Sequence, residues 1–297
     1  MIGRSVSVLL LCSAAAHAAE FQPLIDRPIT LPQGKIDFTL HGTYTDWHNG
    51  LFGLTQALDG ETLALGVDYG AADRIQLGVG LAVPIHPGAS FGSVLVSGLF
   101  SADPRLAVRV DAGYERVGIN GGGGTIRQDH GNRYFGGLGA AIKVPITGAV
   151  AFVSGRNDAV SFGQFANVGS NAGFYFGATG VTQTSSDFLV ISGYDQANSE
   201  TAVGINVPAG LLVQPDPHIA MTLRAGYSAV IWSSTGPTGT LHFIPLALEA
   251  VVSPLPALDI GARFSLDGYV GASDDRLSLR AGYFDMLALM VWFRFRA

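Results

Sequence analysis

Apolar residues at every second position, repeated in segment after segment, leave few folds open to this chain. Ile36, Phe38, Leu40 and Tyr44 alternate with Lys35, Asp37, Thr39, His41 and Thr43. Leu63, Leu65, Val67 and Tyr69 oppose Thr62, Ala64, Gly66 and Asp68. The pattern returns in Ile75–Val83, in Leu106–Glu115, in Ile219–Ser228 and in Leu258–Asp267. A period of two is the signature of strands with two unlike faces. The chain therefore reads as all-β and antiparallel.

A soluble sandwich would also alternate, so composition and row ends have to decide. Charged residues are 13% of the chain, where about 25% is usual for soluble proteins. Mean hydropathy is +0.33, yet beyond the N-terminus no run of eighteen apolar residues occurs, so no spanning helix is expected. The apolar rows end in tyrosine at Tyr44, Tyr69, Tyr114, Tyr227 and Tyr283, which suits a membrane–water interface. The opposite rows mix unlike charges with glycine, as a barrel interior does and a dry sandwich core does not. These features point to a single transmembrane β-barrel.

The connections support this reading. Short turns rich in Asp, Pro and Gly lie at Gly70–Asp73, Ser101–Pro104, Pro145–Gly148, Gln214–Pro217 and Ser253–Pro256, and longer polar stretches such as Asp46–Gly60, Gly118–Arg133 and Trp232–Thr240 alternate with them. Short periplasmic turns and long external loops are the barrel arrangement. Six strands fit between residues 34 and 145, and five fit from Glu200 to the C-terminus. The stretch Gly148–Ser199 must then cross an odd number of times. Turns centred near 72, 103, 147, 216 and 255 are 31, 44, 69 and 39 residues apart. Splitting the outlying gap with a further turn at Thr184-Ser185-Ser186 gives fourteen strands, the favoured count; a single crossing gives twelve, the alternative.

The first residues, MIGRSVSVLLLCSAAAHAAE, combine Arg4, an apolar run from Val6 to Leu11 and small residues at Ala16 and Ala18. This is a secretory signal pattern with cleavage expected after Ala18. Residues 1–18 are thus expected to be removed, 19–33 to form a short periplasmic segment, and 34–297 to form the barrel. The only cysteine, Cys12, lies in the signal, so the mature chain would have no thiol. Net charge is −6 and no basic stretch occurs, so nucleic acid is not an expected partner.

In the last segment Leu287, Leu289, Val291, Phe293 and Phe295 alternate with Ala288, Met290, Trp292, Arg294 and Arg296. That ending resembles the C-terminal strand of bacterial outer-membrane proteins, although Arg296-Ala297 follow the final aromatic residue. Asp26-Arg27-Pro28-Ile29-Thr30-Leu31-Pro32-Gln33-Gly34 and the phrase from Val67 to Gly78 are similar to segments of a family of poorly characterised proteobacterial barrels. Some of those are named as outer-membrane transporters, including ones linked to aromatic-compound degradation. The resemblance implies a barrel in the cell outer membrane. Its implied partners are outer-membrane lipid and lipopolysaccharide, and the barrel assembly machinery acting through the C-terminal strand. Fatty-acid uptake barrels of fourteen strands carry a long N-terminal plug; with fewer than twenty mature residues before the first strand, that plug is absent here.

No catalytic or cofactor constellation stands out. The histidines (His17, His41, His48, His86, His130, His218 and His242) are scattered without metal-ligand spacing. Gly121-Gly122-Gly123-Gly124 lacks the Lys-Ser/Thr and the helix of a phosphate loop. No enzyme activity, cofactor or metal is expected. The functional signal is the set of charges with inward parity: Arg109, Asp111, Glu115, Lys143, Arg224, Glu249, Asp259, Arg263, Arg280 and Arg294. They either line a narrow pathway for small solutes, hydrophobic ones included, or pair with one another as structural bridges. The first reading makes the chain a channel or transporter. The second suits a non-transporting barrel that anchors surface loops for adhesion or envelope structure.

Overall fold

The computed structural model describes residues 21–48, 57–86, 93–118, 130–154, 165–169, 175–179, 187–195, 201–233, 239–273, 276–281 and 285–297. The first group of strands is β1 (Ile36–His48), β2 (Ala57–Ala72), β3 (Ile75–His86), β4 (Ser93–Asp103), β5 (Leu106–Gly118) and β6 (His130–Thr147). Then come four shorter strands, β7 (Val150–Ser154), β8 (Phe165–Gly169), β9 (Tyr175–Thr179) and β10 (Asp187–Asp195). The chain ends with β11 (Thr201–Asp216), β12 (Ile219–Ser233), β13 (Gly239–Leu255), β14 (Leu258–Ser273), β15 (Arg276–Ala281) and β16 (Asp285–Arg296).

Successive strands pair antiparallel around a closed ring. β16 pairs with β1 from Asp37↔Arg296 to His48↔Asp285, and Ala297 and Ile36 exchange both backbone hydrogen bonds at the seam, at 2.8 and 3.1 Å. The five short turns foreseen from Asp, Pro and Gly all stand at one end of the ring, joining β2–β3, β4–β5, β6–β7, β11–β12 and β13–β14. This is called the turn end below, and the opposite end the loop end.

The ring has twelve crossings, so the favoured count of fourteen is corrected to its alternative. The difference lies between β6 and β11. β7 pairs with β6 near the turn end, β10 pairs with β6 nearer the loop end, and β11 borders both on the other side. β7 and β10 are thus two pieces of one crossing. The wide turn spacing came from chain inserted within a strand, not from an extra hairpin of the wall. β8 and β9 pair only with each other, and the supposed turn at Thr184-Ser185-Ser186 lies outside the described residues. β15 and β16 likewise share the twelfth crossing, both bordering β14.

The alternation read from sequence becomes the two faces of this wall. Phe38, Leu40, Leu65, Leu77, Val79, Val110, Leu223, Leu248 and Phe264 point outward and are exposed, while their neighbours at the other parity are buried inside. Tyr44, Tyr69 and Tyr227 are exposed with the outward rows, as expected of an aromatic girdle. Tyr283 lies outside the described residues.

Candidate functional site in the barrel interior

Eight of the ten inward charges read from sequence can be placed. Arg109, Asp111, Lys143, Arg224, Glu249, Asp259, Arg263 and Arg294 are all buried inside the ring. The side chains of Glu115 and Arg280 lie outside the described residues. The strand pleat accounts for the shared direction, because every second residue of a barrel strand faces in.

These charges do not stand alone. Arg224 Nη2 donates to Glu249 Oε2 at 3.1 Å, and the indole Nε1 of Trp292 donates to the other carboxylate oxygen at 3.2 Å. Arg109 pairs with Asp111 two residues along the same strand face. Arg263 stands at the register position opposite Glu249. Asp259 is the most heavily bonded. Arg294 donates to it from Nε at 2.9 Å and from Nη2, and Ser253 Oγ donates at 2.6 Å. Two further bonds, at 2.7 and 3.0 Å, come from Arg27 of the N-terminal segment.

That segment enters the ring at its turn end. Leu24, Ile25, Arg27, Thr30 and Leu31 are buried, and their backbone is tied to inward side chains from around the wall. The Ile25 amide donates to Gln214 Oε1 of β11 at 2.8 Å, and the Leu31 amide to Gln76 Oε1 of β3 at 2.9 Å. Lys143 of β6 donates from Nζ to the Leu24 carbonyl at 3.0 Å and to that of Arg27. Burial draws the Arg27 guanidinium below its ordinary pKa, with the hydrogen bond and charge of Asp259 pulling it back. Around these polar ties, Leu24 and Ile25 pack with Ala151, Val153, Leu212, Ala220, Val251, Met290 and Trp292. Ile29 packs against Leu99, Ala107 and Ala141. Apolar packing and paired charges thus lie side by side in the interior at this end.

Two glycines make the fit possible. Gly34, with φ of +79°, turns the chain out of the interior and into β1 in a conformation most residues avoid. Its amide donates to the Gly70 carbonyl at 2.8 Å. A Cβ at Gly70 would lie 2.0 Å from the Pro32 carbonyl oxygen, so only glycine lets the segment pass there.

Sequence reasoning missed Arg27, Gln76, Gln214, Ser253 and Trp292 as members of this site. Inward parity alone would have flagged Gln76, Gln214, Ser253 and Trp292. Nothing local in the sequence marks Arg27, since its partner lies 232 residues away. The inward rows are also less polar than the alternation implied. Leu99, Leu212, Val251, Met290 and Trp292 face in because they pack around the N-terminal segment, not against water. A short segment before β1, with Leu24, Ile25, Arg27, Thr30 and Leu31 buried, fills the ring at its turn end.

No hydrolytic relay is assembled around Ser253. His218 Nδ1 lies 2.8 Å from the Ser253 carbonyl oxygen, while the hydroxyl is engaged with Asp259. Among the described residues no group of His, Cys, Asp and Glu is placed to hold a metal ion.

The fold and interior define a closed antiparallel barrel of the outer-membrane type, filled at its turn end by the segment that precedes β1. Comparison with known proteins agrees at the level of fold. No protein-family model and no characterised protein sequence matches the chain. Among solved structures it is similar to an outer membrane channel from Pseudomonas putida F1, with a TM-score of 0.51 and 10% identity over 94% of this chain and 98% of that one. The translocator domain of the autotransporter NalP from Neisseria meningitidis gives a TM-score of 0.46 and 13% identity over 99% and 95% of the two chains. The NanC porin gives 0.42 and 8% over 87% and 98%.

Proposed function

We propose that the chain is exported by residues 1–18 and resides in the outer membrane as a narrow channel or transporter for small solutes, hydrophobic ones included. In this reading residues 21–33 close its periplasmic mouth and no chemistry is performed on the solute. The observation that carries the reading is how the mouth is closed. The N-terminal segment is joined covalently to the wall only through Gly34, and several wall groups (Gln76, Lys143, Gln214 and Asp259) meet it through hydrogen bonds and an ion pair. Such contacts can be exchanged for water, whereas the wall's own ladders remain. Asp259 also keeps Arg294 and Ser253 as partners when Arg27 leaves, so opening orphans no carboxylate there.

Planar-bilayer recording tests the proposal. The mature chain should give small or intermittent currents, and a variant lacking residues 21–33 should give steady currents several-fold larger. A second reading has its own observation. The packing of Leu24 and Ile25 against Trp292, Met290 and Leu212 is what a barrel that merely anchors its external loops would use as a permanent core. Absence of current from both forms, each shown to be folded by heat-modifiable gel mobility, would select that reading.

A further inference from the structure

The segment before β1 divides into two parts that are held in different ways. Residues 31–34 belong to the wall. The Gly34 amide donates to the Gly70 carbonyl at 2.8 Å, and the Gly70 amide donates to the Lys35 carbonyl at 2.9 Å. These bonds carry the β1–β2 ladder one step beyond Ile36↔Tyr69. A Cβ at Gly70 would meet the carbonyl oxygens of Pro32 and Leu31 at 2.0 and 2.9 Å, so this stretch lies flat against β2. The Leu31 amide is held by Gln76 of β3, the next strand along the wall.

Residues 22–27 are bonded first to themselves. The amides of Asp26 and Arg27 both donate to the Pro23 carbonyl, at 3.0 and 3.2 Å. Arg27 Nε donates to the Gln22 carbonyl at 2.8 Å, and Gln22 Nε2 donates to the Asp26 carbonyl at 3.1 Å. Pro23 itself has no amide hydrogen to satisfy. The bonds close a compact knob that keeps its own backbone in shape.

The knob meets the wall through side chains of strands far from it in sequence. Gln214 accepts from the Ile25 amide, Lys143 donates to the Leu24 and Arg27 carbonyls, and Asp259 holds the Arg27 guanidinium. Water can replace each of these partners, and a hydrogen bond exchanged for one to water changes the free energy little. Leu24 and Ile25 supply the opposing term. They are buried against Leu212, Val251, Met290 and Trp292, and their return to water favours the closed state. Between the two parts, Pro28 and Ile29 are half-buried, and Ile29 packs against Leu99, Ala107 and Ala141.

We propose that residues 22–27 leave the interior as one preformed knob, swinging about residues 28–30, while residues 31–34 stay on β1–β3 as the fixed arm of the hinge. The role of the knob as a valve rests on the channel reading above; the swing itself does not.

The swing is tested on the mature chain without substitution. Ile25 and Leu31 permit a like-for-like comparison, because each amide is buried and donates to a glutamine side-chain oxygen. In amide hydrogen exchange followed by NMR in detergent micelles, Ile25 should exchange several-fold faster than Leu31, since local opening sets the rate. Equal rates would mean that the segment leaves as a whole and would overturn the proposal. The valve is tested by bridging. Cys12 is the only cysteine, so once residues 1–18 are removed an introduced pair can be joined by a short bis-methanethiosulfonate. Bridging Ile25→Cys to Gln214→Cys should abolish the intermittent currents in a planar bilayer, and a reductant should restore them. Bridging Leu31→Cys to Gln76→Cys should leave the currents unchanged. Current lost on bridging 31 to 76 would place the moving part beyond the hinge, and current kept on bridging 25 to 214 would show that the knob blocks nothing; either result overturns the valve. No current from any form, the barrel lacking residues 21–33 included, would overturn the channel reading and the valve together, leaving hydrogen exchange to decide the swing.

Discussion

Among single residues, Asp259 ties together more of the interior than any other described here. It receives Arg27, Arg294 and Ser253 within one buried cluster. Asp259→Ala would leave two guanidinium groups buried without their carboxylate, and removing one member of a buried ion pair costs about 3–5 kcal/mol. Arg27→Ala leaves Asp259 still bonded to Arg294, so its cost should be nearer that of a charged hydrogen bond, about 1.5–3 kcal/mol. The midpoint of urea unfolding in detergent should therefore fall further for Asp259→Ala than for Arg27→Ala. Equal midpoints would mean that Arg294 does not hold the carboxylate by itself. Gly261 shows how tightly this neighbourhood is fitted: a Cβ there would meet the Trp292 ring at 2.1 Å. Of these residues, Asp259 and Arg294 were legible from parity in the sequence. Arg27 was not, because the pairing is long-range and its segment has no period to read.

At the scale of elements, the strand is what the sequence expresses best. Rows such as Leu106, Val108 and Val110 became lipid-facing, and Arg109 and Asp111 turned inward, because a pleat admits no other assignment. Depth along a strand is the next thing the outward rows encode. Leu223, 61% exposed and fifth from the start of β12, faces mid-bilayer, whereas Leu255 closes β13 at the turn end. An arginine on the lipid face costs about 2–4 kcal/mol at the midplane and about 0–1 near the interfaces. Leu223→Arg should therefore destabilise the barrel in phospholipid vesicles by that larger amount, and Leu255→Arg scarcely at all, as read from equilibrium unfolding in guanidinium. Similar losses at the two sites would displace the bilayer from the band assigned to it. What alternation did not reveal was the broken seventh crossing. Five residues of β7 are too few to show a period, and β10 resumes beyond an insertion that itself contains strands. Turn spacing then favoured extra wall strands over an interrupted one.

At the scale of the whole molecule, closure and charge act together. The twelve crossings enclose an interior that side chains and one short segment can fill at the turn end, in keeping with barrels between the solid eight-stranded kind and open porins. If the N-terminal segment moves aside, the inward charges become the wall of the path. In the barrel lacking residues 21–33, replacing Arg109, Arg224 and Arg263 with glutamine should then shift selectivity toward cations. The sign follows from Coulomb's law: the change removes fixed positive charge while Asp111 and Glu249 remain, so the interior attracts cations more and anions less. Arg109 and Arg224 are paired with those two carboxylates, so the substitution also releases negative charge that the pairs had masked, in the same direction. The measurement is reversal potential across a salt gradient, with heat-modifiable mobility confirming that the variant is folded. A folded triple variant with unchanged reversal potential would show that these arginines brace the wall and do not line the path. Mere bracing predicts the opposite pattern, a loss of stability from unpaired Asp111 and Glu249 with no change in the ions that pass.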